Sequence, residues 1–223
     1  VGSNLSLAPL DYGDASLVGY WPLNEGTGTI AYDRSGKGNN GTLVNGPTWT
    51  SRGVSAALSF DGLTSRVGVN NITSSQTMTV SLWFNPADVS TSTTVIYKND
   101  GGYSFMLYRN NFWTPGLFSW LRYCDCPPAN NCNSLTSYYF YTIPGTWYQT
   151  SFITIADGSF KMYVNGSQVL SSAATNFSSW RAITSAIALG NGNSPFAGLI
   201  DDVRIYNRAL SASEISALYN ATK

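Results

Sequence analysis

Apolar and polar residues alternate with a period of two over several stretches of the chain, which is the pattern of β-strands with one buried face. In residues 77–85, every even-numbered position from Met78 to Phe84 is apolar, and the positions between them include Thr79 and Ser81. Residues 103–109 alternate in the same way. These segments are predicted to be strands that turn one face to a hydrophobic core.

Short turn sequences separate the predicted strands and indicate antiparallel hairpins. Residues 148–156 and 160–164 are joined by Asp157-Gly158-Ser159, and Asp-Gly supplies the positive φ angles that a tight hairpin turn requires. Asn165-Gly166 then turns the chain into residues 168–171. Three strands that follow one another in space are therefore expected here.

The last part of the chain predicts two more strands and one helix. The strands are expected at residues 186–190 and 199–206. The helix is expected at residues 211–219, where Ser211 at the N-cap and Glu214 three residues later form a capping box. Regularly spaced strands with a single short helix predict an all-β, two-sheet antiparallel sandwich. No linker or repeat divides the chain, so residues 16–223 are predicted to form one domain after an extended lead-in at residues 1–15.

Composition removes several classes of function. Twelve Lys and Arg residues balance twelve Asp and Glu residues, so no basic surface is expected for nucleic acid. The absence of histidine excludes Ser-His-Asp catalysis and His-ligated metal sites. No apolar run approaches the ~20 residues that cross a bilayer, so membrane insertion is not expected. A charged fraction of only 11% with 14% aromatic residues is typical of secreted or cell-surface β-proteins.

Three cysteines lie in one short segment rich in Pro and Asn, which predicts a loop. Cys124 and Cys126 are too close in sequence to pair comfortably, so a disulfide is expected between Cys132 and one of them. Cys126–Cys132 is the preferred pairing, and a bridge of this kind implies an oxidising compartment. Reduced, inert cysteines are the alternative, and a three-thiolate metal site has little support because its spacing does not match a zinc ribbon.

Four segments resemble the laminin-G-like domain of the concanavalin A-like lectin/glucanase superfamily. They are LVGYWPLNEGTGTIAYDRSGKGNNGTL, AALSFDGLTSRVGV, TMTVSLWFNPA and FAGLIDDVRIYNRALSASEISALYN. Together with the hairpin after Trp147, the resemblance covers roughly residues 17–219, whereas residues 110–145 depart from it. It implies a jelly-roll sandwich, often with a calcium ion, that is used for carbohydrate or protein recognition.

A calcium site is expected in the first loop, which is rich in Asp, Asn and Gly as a hard cation requires. The resemblance implies that Asp33 lies beside Asp201. Carbonyl groups around Gly36, Gly38 and Gly41, and the amide of Asn39 or Asn40, would complete a structural Ca²⁺ shell. The alternative is that Asp33 only begins a turn and that Asp201 only accepts hydrogen bonds from loop amides.

Catalysis is not expected. Glycoside hydrolysis needs two carboxylates that face one bond, and the chain has only two glutamates, Glu25 and Glu214. Asp201 and Asp202 are adjacent, so on a regular strand they would face opposite sides of the sheet. The sequence therefore predicts a protein that is not an enzyme.

Aromatic residues in the divergent segment suggest a sugar-binding surface, because pyranose rings pack on aromatic faces. The predicted ligand-binding residues are Trp113, Trp120, Tyr123, Tyr139 and Tyr141, with Asn99 and Asp100 as polar partners. The predicted function is a non-catalytic, lectin-like module that binds a glycan or polysaccharide and is stabilised by calcium. The alternative is a structural or adhesive module that binds proteins at a cell surface, and a glycoside hydrolase is less favoured.

Overall fold

The structure, a computed structural model, describes residues 13–53, 55–100, 103–109, 116–123, 139–173, 183–191 and 194–223. In chain order its elements are β1 (Leu17–Trp21), β2 (Ile30–Ala31), β3 (Gly41–Val44), β4 (Thr48–Arg52), β5 (Ser55–Asp61), β6 (Arg66–Ser74), β7 (Met78–Pro86), β8 (Thr93–Asp100), β9 (Tyr103–Arg109), β10 (Leu117–Tyr123), β11 (Tyr139–Tyr141), β12 (Tyr148–Thr154), β13 (Phe160–Val164), β14 (Ser167–Ser172), β15 (Ile183–Leu189), β16 (Ala197–Tyr206) and α1 (Ala212–Thr222).

The strands form two antiparallel sheets, which confirms the predicted sandwich. Sheet A has the order β14-β13-β12-β7-β16-β5-β4, and β1 also pairs with β16. Sheet B has the order β11-β10-β9-β8-β15-β6-β3-β2. The predicted meander after Trp147 is present as β12, β13 and β14, and Asn165 and Gly166 both have positive φ in the turn between the last two.

The core lies between the sheets and follows the alternation seen in the sequence. Met78, Val80, Leu82 and Phe84 of β7 are fully buried in the main apolar cluster. From sheet B, alternate residues of the facing strands enter the same cluster, including Phe105 of β9. Interdigitated side chains of this kind from two sheets make the core of a sandwich.

Trp120 is a core residue, so its predicted role as a sugar ligand is wrong. Its side chain is 1% exposed and stacks on Phe152 with ring centroids 5.5 Å apart. Its indole N–H donates to Oγ1 of Thr150 at 2.7 Å. The physical reason is that Trp120 lies on strand β10 rather than in a loop, and the strand period points it inward with Phe118.

Helix α1 packs on the outer face of sheet A. The predicted capping box is confirmed: the Glu214 backbone N–H donates to Oγ of Ser211, and the Ser211 N–H donates to Oε2 of Glu214. A second apolar cluster under the helix includes Ile215 and Leu218. At the helix end, the Tyr219 ring stacks on Trp83 at 5.7 Å, so the outer face of β7 is covered here.

Candidate functional site

The outer face of sheet B carries a groove of about 460 Å³, called the groove below. One row of paired residues crosses it from β3 to β8, in the order Thr42, Gly68, Ala188 and Tyr97. The small residues in the middle of this row form a low floor. The Tyr97 ring rises beside that floor, so the face is concave rather than flat.

Strand β6 supplies the polar part of the groove. Val67 and Val69 are buried in the core, and strand periodicity therefore places Arg66, Gly68 and Asn70 on the outer face. At Gly68 a Cβ atom would meet no heavy atom within 4 Å, which shows that space is open above the floor. The groove thus combines an aromatic wall, a clear floor and polar side chains.

The polar groups of the groove are available to a ligand. Among the described residues, the side chains of Arg66, Asn70 and Tyr97 have no protein hydrogen-bond partner. Arg66 is the charged residue that lines the groove. A guanidinium, an amide and a phenol can together donate to and accept from several hydroxyl groups.

The sequence-predicted ligand residues whose backbone the structure describes also belong to sheet B, on β8, β10 and β11. On β11, Tyr139 is half-buried and Tyr141 is 69% exposed. The backbone of Asn99 pairs with that of Ser104 on β9, and Ser104 pairs with Tyr123 on β10.

Several of those residues cannot be placed fully. The side chains of Asn99, Asp100 and Tyr123 lie outside the described set, and so do Trp113 and the cysteines Cys126 and Cys132. In sequence, Asn99 follows the groove residue Tyr97 by two positions on β8. Apart from Trp120, the predicted ligand-binding set therefore stays a prediction, and so does the disulfide.

A second concave surface, called the cleft below, has a volume of about 720 Å³ and lies beside the end of α1. Its lining includes Tyr20, Arg52, Trp147, Asp201, Asp202 and Thr222. The expectation that Asp201 and Asp202 face opposite sides of the sheet is wrong, because both line this cleft. The reason is a bulge: Asp201 pairs with Trp83 and Arg204 with Ser81, which leaves one extra residue on β16, and Asp202 has a φ of 56°.

Ion pairs hold the two carboxylates of the cleft. Nη1 of Arg52 donates to Oδ2 of Asp201 at 2.6 Å, and Nη1 of Arg204 lies 2.5 Å from Oδ2 of Asp202. The Arg52 guanidinium is also placed between two indoles, 4.3 Å from the Trp83 ring and 4.7 Å from that of Trp147. Arg52 is therefore a fixed part of the wall rather than a free cation.

Burial raises the pKa of the Asp201 carboxyl from 3.8 to about 7. The side chain is withdrawn from water, which disfavours the charged form, and the nearby negative charge of Asp202 acts in the same direction. The hydrogen bond from Arg52 opposes this rise without cancelling it. A carboxyl with a pKa near neutrality in a cleft is a feature that functional sites share with structural ion-pair networks.

A family model described as the concanavalin A-like lectin/glucanases superfamily, of the laminin G type, matches residues 59–216, which is more than half of the chain. The chain belongs to this family. The matched residues extend from the second predicted strand pair to the terminal helix of this laminin G-like domain. Among curated proteins, no relative matches the chain.

Solved structures share the fold of this laminin G-like domain at low sequence identity. Domain 4 of AbnA, a GH43 extracellular arabinanase from Geobacillus stearothermophilus solved with arabinotriose, matches with a TM-score of 0.69 and 22% identity, over 92% of this chain and 98% of that one. The binding domain of Paraclostridial Mosquitocidal Protein 1 matches with a TM-score of 0.68 and 18% identity, over 92% of this chain and 52% of that one. The binding domain of Botulinum neurotoxin DC, solved with rat synaptotagmin II, matches with a TM-score of 0.68 and 15% identity, over 93% and 52%.

The chain spans about half the length of the toxin chains and nearly all of the arabinanase domain. At these identities the likeness establishes the fold. Within the described residues, no helix is long and apolar enough to span a membrane.

The first loop of the laminin G-like domain does not form a calcium shell as it is arranged. Both carboxylate oxygens of Asp33 accept hydrogen bonds from protein donors, namely the N–H groups of Tyr20, Ser35 and Asn39 and the Ser35 hydroxyl. Oδ1 of Asn40 accepts from the Asp33 N–H. Asp201 binds Arg52, and no group of three acidic or thiol side chains gathers in the described part of the chain. Calcium dependence therefore stays a prediction.

The groove residues were missed from sequence, although β6 held a signal for them. In RVGVN the apolar residues alternate with Arg66, Gly68 and Asn70, which marks a polar outer face on a strand with a buried inner face. The Arg52–Asp201 pair had no such signal, because its partners are 149 positions apart.

Proposed function

We propose that this laminin G-like domain binds carbohydrate without catalysis, and that the groove on sheet B is the binding surface. The observation that carries this proposal is the Tyr97 ring beside an open floor, together with the polar side chains of Arg66 and Asn70, to which no described residue is hydrogen-bonded. An aromatic ring packs against the C–H face of a sugar, while neighbouring donors and acceptors bind its hydroxyls.

The comparisons supply the ligand class for a first test. The arabinanase domain was solved with arabinotriose, and it covers nearly the same length as this chain. Arabinotriose is therefore a natural first ligand. Because Arg66 is the charged group of the groove, neutral and acidic glycans both fit it electrostatically. Sugar polymers of this kind are met outside the cell, which supports the proposed extracellular location.

The test compares Tyr97→Ala with Tyr141→Ala by titration calorimetry with arabinotriose, after a glycan array has shown which sugars the wild type binds. Loss of the stacking ring in the groove should weaken binding by about tenfold or more, which is about 1.4 kcal/mol or more. The exposed Tyr141 is the matched control on β11. Loss of binding in Tyr141→Ala alone would instead place the site at the edge predicted from sequence. A blank array with intact protein would contradict the sugar proposal.

One observation favours protein recognition as a second candidate function. Tyr141 and Ile143 are exposed by 69% and 66% and lie two residues apart beside β11. Exposed apolar groups that lie together mark protein contacts more often than single ones do. If the array is blank, we expect protein binding at this edge, and an Ile143→Ser variant should then weaken it.

A further inference from the structure

We propose that the cleft is a second ligand site, and that it takes a neutral hydroxylated ligand of the saccharide class whose hydroxyl donates to Oδ1 of Asp201. The cleft lies at the end of α1, on the outer side of sheet A, whereas the groove lies on the outer face of sheet B. The proposal is therefore independent of sugar binding in the groove.

The acceptor is Oδ1 of Asp201, a buried atom of a residue that lines the cleft. The side chain is 3% exposed, and its other oxygen is held by Arg52. Among the described residues no group makes a hydrogen bond of good geometry to Oδ1, although the Asp202 backbone N–H lies near enough to the carboxylate to lower its pKa. A buried acceptor without a donor has lost its hydrogen bonds to water and raises the free energy of the protein. A ligand that brings a donor to this atom recovers part of that free energy on binding.

The charges around this atom select a neutral donor. Asp201 and Asp202 are each paired with an arginine, and the Lys223 side chain is a further cation in the lining. A metal ion or an ammonium group would meet three cations against two carboxylates, which opposes its binding. An anion bound near Oδ1 would lie close to the buried carboxylates of Asp201 and Asp202, and their negative charge would oppose its binding. A hydroxyl group avoids both penalties because it donates without carrying charge.

The cleft has the size and lining that a saccharide needs. Its volume of about 720 Å³ lies within the range of pockets that hold small ligands, roughly 300–1,000 Å³. Polar side chains stand around it, namely those of Asn24, Ser51 and Ser55. None of these three has a protein hydrogen bond in the described part of the chain, so they can bind the remaining hydroxyls.

The test blocks the cleft without touching its charges. Ser51 is exposed and lines the cleft, whereas Thr48 on the same strand is exposed and does not line it. Ser51→Phe and Thr48→Phe are thus a matched pair of bulky substitutions. The wild type and both variants are tested on an array of neutral oligosaccharides at pH 8. The strongest ligand among those that Ser51→Phe loses, and the strongest among those that it keeps, are then titrated by calorimetry.

The expected result is a set of neutral oligosaccharides that Ser51→Phe loses by about tenfold or more and that Thr48→Phe retains within about twofold. Asp201→Asn should weaken the same set, because its amide keeps the carbonyl on Arg52 and offers N–H to the cleft in place of an acceptor. Tyr97→Ala should retain this set, which separates the cleft from the groove. Equal binding by both Phe variants, no neutral ligand at all, or a preference for amines or peptides would overturn the proposal.

Discussion

The buried Asp201 carboxyl predicts that this domain is less stable at neutral pH than at pH 5. Its pKa is about 7 in the fold and 3.8 without burial, so between these values the folded chain holds a proton that the unfolded chain has released. Stability is therefore lost as pH rises through this window. Linkage between pH 5 and pH 7.5 gives a loss of roughly 2 to 3 kcal/mol, or roughly 5 to 10 °C in Tm for a domain of this size.

Several other groups that could titrate between pH 5 and pH 7.5 do not contribute to this change in stability. The chain has no histidine, and hydrogen bonds lower the pKa values of Asp61 and Glu214 to about 2, so these two carboxyls do not titrate in this range. The assay is urea unfolding at half-unit pH steps, followed by tryptophan fluorescence. Asp201→Asn mimics the protonated form and should make the profile flat. A wild-type profile that rises with pH, or an equal slope in Asp201→Asn, would refute the reasoning.

Three further outcomes are expected. Trp120→Ala should lower the free energy of unfolding by about 3 to 5 kcal/mol, because it leaves a cavity in the core. The variant should therefore unfold at a lower urea concentration than the wild type. A change under about 1 kcal/mol would mean that the ring is not packed in the core. Asp33→Asn should lower Tm equally in Ca²⁺ and in EDTA if its hydrogen bonds are what matters, whereas an effect confined to Ca²⁺ would establish the predicted calcium site. Ser211→Ala should cost about 1 kcal/mol in urea unfolding through loss of the N-cap, and an unchanged midpoint would contradict this role.

Local patterns in the sequence predicted the strands and the helix well. The capping box at Ser211 and the alternation in residues 77–85 depend on neighbours a few positions apart, so both are visible without tertiary structure. The helix continues to Thr222, three residues beyond its predicted end, because its last turn is fixed by Trp83, which donates to Oγ1 of Thr222 at 2.8 Å. Such a contact with a distant strand leaves no trace in local sequence.

The functional surfaces were harder to predict because they depend on register and on irregular backbone. The groove exists because pairing brings Gly68 of β6 and Ala188 of β15 side by side, and no spacing in the sequence encodes that pairing. The cleft depends on the bulge at Asp202, where a residue other than glycine takes a positive φ. The aromatic segment misled the prediction for Trp120, since its Pro and Cys neighbours favoured a loop over the end of a strand.

Strand β16 has a consequence for how the chain acquires its structure. It lies inside sheet A, with β7 on one side and β5 and β1 on the other. Its pairing with β1 brings Tyr206 opposite Leu17, near the other end of the chain. Pairings over such sequence distances are slow to form, because the entropy of closing the loop is lost before any contact is gained. A growing chain therefore carries the unpaired edges of β1, β5 and β7 until residue 206 has emerged, and these edges can associate with other chains. Folding of this domain is for that reason a late event, and its yield should depend on how well the nascent chain is shielded during synthesis or export.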